Sequence, residues 1–169
     1  GTGGLENGLV NLINRTPPRC YRHAIICLSE AGNFAARIVV PGVEVVALHK
    51  RPGHDPGMYW RLYRTLRRLR PAVVHTRNLA ALETQVLGVL MPRVRRVHGE
   101  HGRDVHDLDG SNARYRWLRR ALSPLLQRFI CVSRDLQTWL IDEVRIPRSK
   151  VRQIYNGVEH EQFAGALDR

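Results

Sequence analysis

The chain has 169 residues, 43% of them hydrophobic and 25% charged, with 27 Lys and Arg against 15 Asp and Glu and a formal charge of +12. This length carries one domain with a real core and is too short for two large ones. The positive excess favours anionic partners, whether nucleic acid, an acidic membrane or phosphorylated small molecules, and does not choose among them.

In chain order, Gly4 to Asn14 reads as a helix with Leu5, Leu9, Leu12 and Ile13 on one face, closed by Thr16-Pro17-Pro18. His23 to Leu28 and Val43 to Leu48 read as buried strands, with a loop through Gly32 and Pro41-Gly42 between them. After a Pro/Gly loop, Met58 to Arg70 reads as a helix. Its apolar stripe is Tyr59, Leu62, Tyr63, Leu66 and Leu69, and Arg61, Arg64, Arg67 and Arg68 cover its other sides. Pro71 ends it. Ala72 to Thr76 is a predicted strand, Leu79 to Leu90 a helix, Arg95 to His98 a strand and Val105 to Asn112 a polar loop. Arg114 to Leu126 is a second Arg-rich helix, with Arg116, Arg119 and Arg120 off its apolar face. Arg128 to Val132 is a strand, Ser133 an N-cap for a helix over Arg134 to Val144, and Val151 to Tyr155 a last strand running into Asn156-Gly157.

Strands alternating with helices across short loops predict an α/β fold: a Rossmann-like, doubly wound parallel sheet with helices on both faces. Gly1 precedes a helix directly, where such a sheet wants a strand, so the first strand is expected to be missing. Cys20, Cys27 and Cys131 have no metal-ligand spacing, and Cys27 and Cys131 sit in apolar runs as small buried hydrophobes. The odd count fits a reducing compartment, and no apolar run approaches the roughly 20 residues that span a bilayer. No signal peptide is visible, so the expected location is cytoplasmic.

The stretch Val97-His98-Gly99-Glu100-His101-Gly102-Arg103-Asp104 ends a strand in a Gly-rich loop dense in groups that exchange protons near neutral pH. Open α/β sheets bind small molecules at such strand ends. Two further loops, Gly3-Gly4-Leu5-Glu6 and His75-Thr76-Arg77-Asn78, have the same character. With Val132-Ser133-Arg134-Asp135 and Asn156-Gly157-Val158-Glu159 they form an ordered set. That set resembles the N-terminal half of GT-B glycosyltransferases of family 4. It is most similar to the sugar transferases of bacterial exopolysaccharide and PEP-CTERM/exosortase gene clusters.

The resemblance covers nearly the whole chain and implies a single acceptor-side Rossmann-like domain over residues 1–169. The donor-binding C-terminal domain is absent, so the isolated chain is expected to be inactive or nearly so. It implies a retaining, metal-independent reaction that takes a sugar from a nucleotide-sugar donor, with no other cofactor, to a saccharide or lipid-linked acceptor in polysaccharide biosynthesis. By matching motifs, His101 contacts the transferred sugar at the reaction centre, and Asp104 follows it. Gly3 and Gly4, with Glu6 beside them, approach the donor phosphates and the acceptor. The loop of His75, Arg77 and Asn78 lines the acceptor pocket. Asn156 and Gly157 lie at the hinge towards the second domain. Glu100 is placed at the site as a substrate contact, or else is a solvated or ion-paired loop residue.

Each signal has a competing reading. Gly3-Gly4 also suits a plain tight turn, and His101 a satisfied loop histidine. His98, His101 and His106, with Asp104, Asp107 and Asp109, carry ligand types suited to a divalent metal and so to a hydrolase, but not on a helix that would align them. The Arg-rich helices are either solvated faces or, with Trp60 and Trp117, a surface that meets the anionic inner membrane. A basic nucleic-acid or phosphate-binding module and a sugar-nucleotide epimerase of the same fold are the alternatives. No recognition helix, aromatic RNA-binding pair or zinc pattern supports nucleic acid.

Overall fold

The computed structural model describes residues 4–104 and 107–157. Helix α1 (Gly4–Arg15) is amphipathic, and Leu9, Val10 and Ile13 pack with Phe34 on strands β1 (Ala24–Cys27) and β2 (Glu44–Ala47). The two strands are parallel, Ala24 opposite Glu44 and Cys27 opposite Ala47. Parallel neighbours need a crossover. Here it contains a 3-10 helix, Asn33–Arg37, where the sequence suggested only loop. Its anchor is Phe34, one buried aromatic between two glycine-bearing turns.

Helix α2 (Pro56–Leu69) covers the opposite face. Met58, Leu62 and Leu66 pack against Leu48, Ile26 and Val46, and also against Val74 of the next sheet. The helix starts two residues before its predicted start, because Asp55 caps it by accepting from the Met58 amide and Pro56 suits a first-turn position. It ends in a left-handed Arg70, φ 47°, before Pro71.

The larger sheet is all parallel in the order β3 (Val73–Arg77), β4 (Arg95–Glu100), β5 (Arg128–Cys131) and β6 (Val151–Gln153). One face is buried under helices α3 (Leu79–Leu82), α4 (Ala113–Leu122) and α5 (Arg134–Asp142), with Leu82, Phe129, Cys131, Trp139, Leu140 and Val151 in the core. Burial pushes the Cys131 thiol up to about 11, as suits an inert core cysteine. The other face leaves Val73 and His75 exposed. The architecture is the expected α/β class of parallel sheets flanked by helices, divided into a two-stranded and a four-stranded sheet. No helix among the described residues is long and apolar enough to cross a membrane.

Three further differences from the predicted boundaries bear on the site. The helix expected from Leu79 to Leu90 is one short α-helical stretch followed by a 3-10 helix over Glu83–Leu90. Thr84 bonds back to the Ala81 carbonyl, Gln85 turns inward to Thr76 and Val97, and Gly88 lies against the Arg96 side chain. These contacts replace the regular ladder. The helix expected to Leu126 stops at Leu122, and Pro124 takes the chain through a 3-10 turn. Strand β4 runs two residues further than predicted, to Glu100, which places that residue in the sheet and not in the loop.

Candidate functional site

Strand alternation sets the site. Val73, His75 and Arg77 project to one face of β3, and Val74 and Thr76 to the other. The register places His75 opposite Val97 and Arg77 opposite Gly99, so Gly99 and then His101 follow on the same face as His75. Gly99 is what makes this possible. A Cβ there would stand 2.8 Å from His75 Nε2 and 3.0 Å from His101 Nε2. The missing side chain makes room for two imidazoles at adjoining strand ends.

The chain then turns at Asn78, a non-glycine residue at φ 59° and ψ 165°. Its backbone N–H donates to the Gly99 carbonyl at 2.9 Å, and its side chain makes no capping bond to the helix that follows. A strained backbone holding an unspent amide is the kind of outlier found at ligand sites. Beyond β6, the Ile154 N–H donates to Cys131 and keeps the chain beside β5 up to Asn156.

These elements converge on a small open pocket of about 250 Å³ lined by Gly4, Asn78, His101, Gly102, Arg103 and Asn156. Gly4 brings the N-terminal turn of α1, whose first amides lack helical partners. No added atom at Gly4 or Gly102 would meet anything within 4 Å, so both present bare backbone to open space. No carboxylate lines the pocket.

Burial pushes the pKa of His101 down to about 4, helped by the nearby Arg77 charge and opposed in part by Glu100. His75 is shifted the same way by burial and then by Arg77, although its exposed side lets water screen part of the effect. Both rings are neutral at pH 7, each with one N–H donor and one acceptor.

Beneath the pocket lies a buried polar chain. Arg119 grips Glu100 through Nε at 2.6 Å and Nη2 at 3.2 Å, and His98 Nε2 lies 3.2 Å from the same carboxylate. His98 Nδ1 is 2.9 Å from the Thr76 hydroxyl, which accepts from Gln85. Burial pushes the Glu100 carboxyl up, but hydrogen bonds from His98 and Arg119 outweigh it and hold its pKa below the ordinary carboxylate range.

Of the residues expected at the site, Gly4, Asn78, His101 and Asn156 share the pocket, and His75 and Arg77 stand beside it. Glu100 does not line it: fully buried, with both oxygens engaged, it supports the loop from below. Of the other reading of Glu100, the ion pair holds, with Arg119 as partner, and the solvated loop does not, since the residue is buried at the end of a strand. Glu6 lies in the first turn of α1, near enough to Cys27 to help burial raise that thiol's pKa. Asp104 is half-buried and accepts from the Asp107 amide through its carbonyl. Gly157 follows Asn156 in an exposed position. Gly3 and His106 lie outside the described residues. Both ring nitrogens of His98 are spent on Thr76 and Glu100. Among the described residues no three His, Cys, Asp or Glu side chains are grouped to hold a metal.

Arg103 lines the pocket without having been singled out by sequence. Its Nη2 donates to Asp135 at 3.0 Å, and its guanidinium lies 5.9 Å from the Trp139 ring centre. The signal was its place inside the His-Gly-Arg-Asp motif. A search of curated proteins finds no match to this chain. The family model described as Glycosyltransferase Family 4 matches residues 2–162.

Proposed function

On the premise that the chain belongs to Glycosyltransferase Family 4, we propose that it is the acceptor-binding side of a retaining, metal-independent sugar transfer. A nucleotide-sugar is the donor and a saccharide or lipid-linked saccharide the acceptor. The carrying observation is the convergence of His101, Asn78, Gly102 and Asn156 with the first turn of α1 on one pocket at the strand ends. The neutral His101 imidazole donates to or accepts from a sugar hydroxyl. It orients the transferring sugar and does not remove a proton from it. Asn78 and the bare backbone at Gly102 supply further hydrogen-bonding groups without side-chain bulk. The product is assigned to polysaccharide assembly at the cytoplasmic side of an anionic membrane.

The test is a transfer assay on the transferase that carries this chain, with panels of nucleotide-sugars and acceptors and His101→Ala and Asn78→Ala as variants. Transfer reduced at least about 100-fold by His101→Ala is expected. Acceptor saccharide should also shift the amide signals of Gly102 and Asn156 in the chain alone. Wild-type activity in His101→Ala would refute the assignment. Salt-sensitive binding to oligonucleotides with no response to any saccharide would favour the phosphate-binding module instead.

A further inference from the structure

Two imidazoles that aim a nitrogen at the same space either share a hydrogen bond or leave room for a third group between them. His75 and His101 are such a pair. Their Nε2 atoms lie 2.8 and 3.0 Å from the point where a side chain on Gly99 would start. Among the described residues neither ring makes a hydrogen bond, to the other or to anything else. His98 differs, with its two nitrogens engaged by Thr76 and Glu100. The pair is open to solvent, since His101 lines the pocket and His75 is exposed beside it.

The donor set decides what fits. Imidazole nitrogen suits zinc and its first-row neighbours, whereas magnesium and calcium want oxygen ligands. Among the described residues no Cys, Asp or Glu joins the two rings to make a third ligand. Two charges act on the pair. Arg77 acts on both rings and opposes a cation, and the Glu100 carboxylate acts on His101 in the opposite sense. Glu100 is already matched by Arg119. Affinity therefore comes from the two nitrogens, and it is weaker than that of a closed four-ligand site.

We propose that His75 and His101 together bind a divalent cation of the zinc class, which occupies the His101 nitrogen and blocks transfer. Each Nε2 gives its lone pair to the ion and displaces one of its waters, with the ring proton kept on Nδ1. The remaining coordination positions keep their waters, and no bond in the chain breaks. Binding stands without the glycosyl-transfer reading, and only the blocking rests on it.

Zinc chloride titrated into the chain by calorimetry is the first test, with the ring signals of both histidines followed by NMR. Zinc should shift the two rings together. His75→Gln or His101→Gln should weaken binding at least about ten-fold, because even an outer-shell partner of a metal is worth that much. Gly99→Ala should weaken it with both ligands still present, since the new Cβ drives the rings apart. Arg77→Gln should tighten it by removing an opposing charge. His54→Gln, at an exposed histidine elsewhere, should change nothing, and magnesium should not move either ring. Circular dichroism shows whether each variant is folded. No zinc binding by the wild-type chain, zinc binding that leaves either ring signal in place, or binding unchanged by His75→Gln overturns the site.

The second test uses the transferase that carries this chain. Zinc should inhibit transfer and a chelator should restore it, with inhibition read as a fraction of each variant's own activity. His75→Gln should need at least about ten times more zinc for the same inhibition. Transfer that continues while zinc holds both rings overturns the blocking and the role given to His101, and leaves the metal site standing. Absence of zinc binding overturns the metal site and leaves the glycosyl-transfer reading untouched.

Discussion

Glu100 and Arg119 meet as a two-pronged ion pair, 2.6 and 3.2 Å across, with essentially no side-chain exposure at either end. The pair joins the end of β4 to the last turn of α4, and the Arg119 guanidinium also lies 5.0 Å from the Trp139 ring centre. Removing one partner leaves the other charge buried and unmatched. Arg119→Met should therefore destabilise the fold by about 3–5 kcal/mol, and the double change Glu100→Gln with Arg119→Met by clearly less. Urea unfolding measures both. Equal losses in the single and double variants would mean that the cost is packing on Trp139 and not charge.

The neutral His101 makes a pH prediction. Its folded pKa is pushed down to about 4 from an ordinary value of 6.5. Between those values the unfolded chain binds a proton that the folded chain refuses. Stability is thus fully present above about pH 6.5 and falls as pH drops towards 4, the slope coming from His101 and, screened by water, His75. Histidine NMR titration should place the His101 midpoint well below 6. A midpoint near 6.5 would contradict the packing of this ring.

Gly99→Ala separates geometry from stability. The new Cβ would press on ring nitrogens of His75 and His101 at 2.8 and 3.0 Å, and no positive φ at this position adds backbone strain. Both rings can swing away, so thermal stability should change little. His101 would be displaced from its place in the pocket, and a shift of about 1 Å can cost about 100-fold in turnover. A variant with normal kcat/KM in the transferase would show that the ring's position does not matter.

Gly110→Ala acts the other way. Gly110 has φ 73°, and a Cβ would lie 2.5 Å from the indole nitrogen of Trp139, which donates to the Gly110 carbonyl at 3.1 Å. Backbone strain and a core clash coincide, so a loss of about 1–3 kcal/mol is expected in urea unfolding. Unchanged stability would mean that this loop re-folds without the Trp139 contact.

The ends of β3 and β5 were legible to within a residue, because the apolar runs Ala72 to Thr76 and Arg128 to Val132 stop at polar, turn-forming residues. The loops that resemble one another by composition do meet at one pocket. Ion pairing of Glu100 was among the readings the sequence allowed, but Arg119 was not seen as its partner. A charged residue reads as exposed unless its partner is known, and that partner sits 19 positions away. The same blindness inflated the basic helical faces. Arg61 is turned back on the end of β2, Arg68 pairs with Glu44, and Arg116 pairs with Glu143. The 3-10 stretch after Leu82 was hidden because Thr84 and Gln85 look helical by period and act through tertiary contacts.

What remains of the basic surface bears on the membrane. Arg64, Arg67, Arg114 and Arg120 have no acidic partner among the described residues. They flank Trp60 and Trp117, which are 61% and 67% exposed, and Trp60 stacks on Tyr63 with ring centres 5.7 Å apart. The 3-10 helix that packs against both α2 and α4 adds Val89 and Leu90, each about 60% exposed. Exposed indoles and aliphatic side chains framed by unpaired arginines suit an interface whose outer layer is anionic and whose inner layer is apolar. Co-sedimentation with vesicles should show binding to membranes containing anionic lipid and little to neutral ones. Each arginine replaced by Gln should weaken it by about 1 kcal/mol, and added salt should weaken it further. Trp60→Ala with Trp117→Ala should weaken binding even at low salt, since the indoles act through apolar insertion. Equal binding to neutral and anionic vesicles, or binding unchanged by both tryptophan substitutions, would leave this face as an ordinary solvated surface.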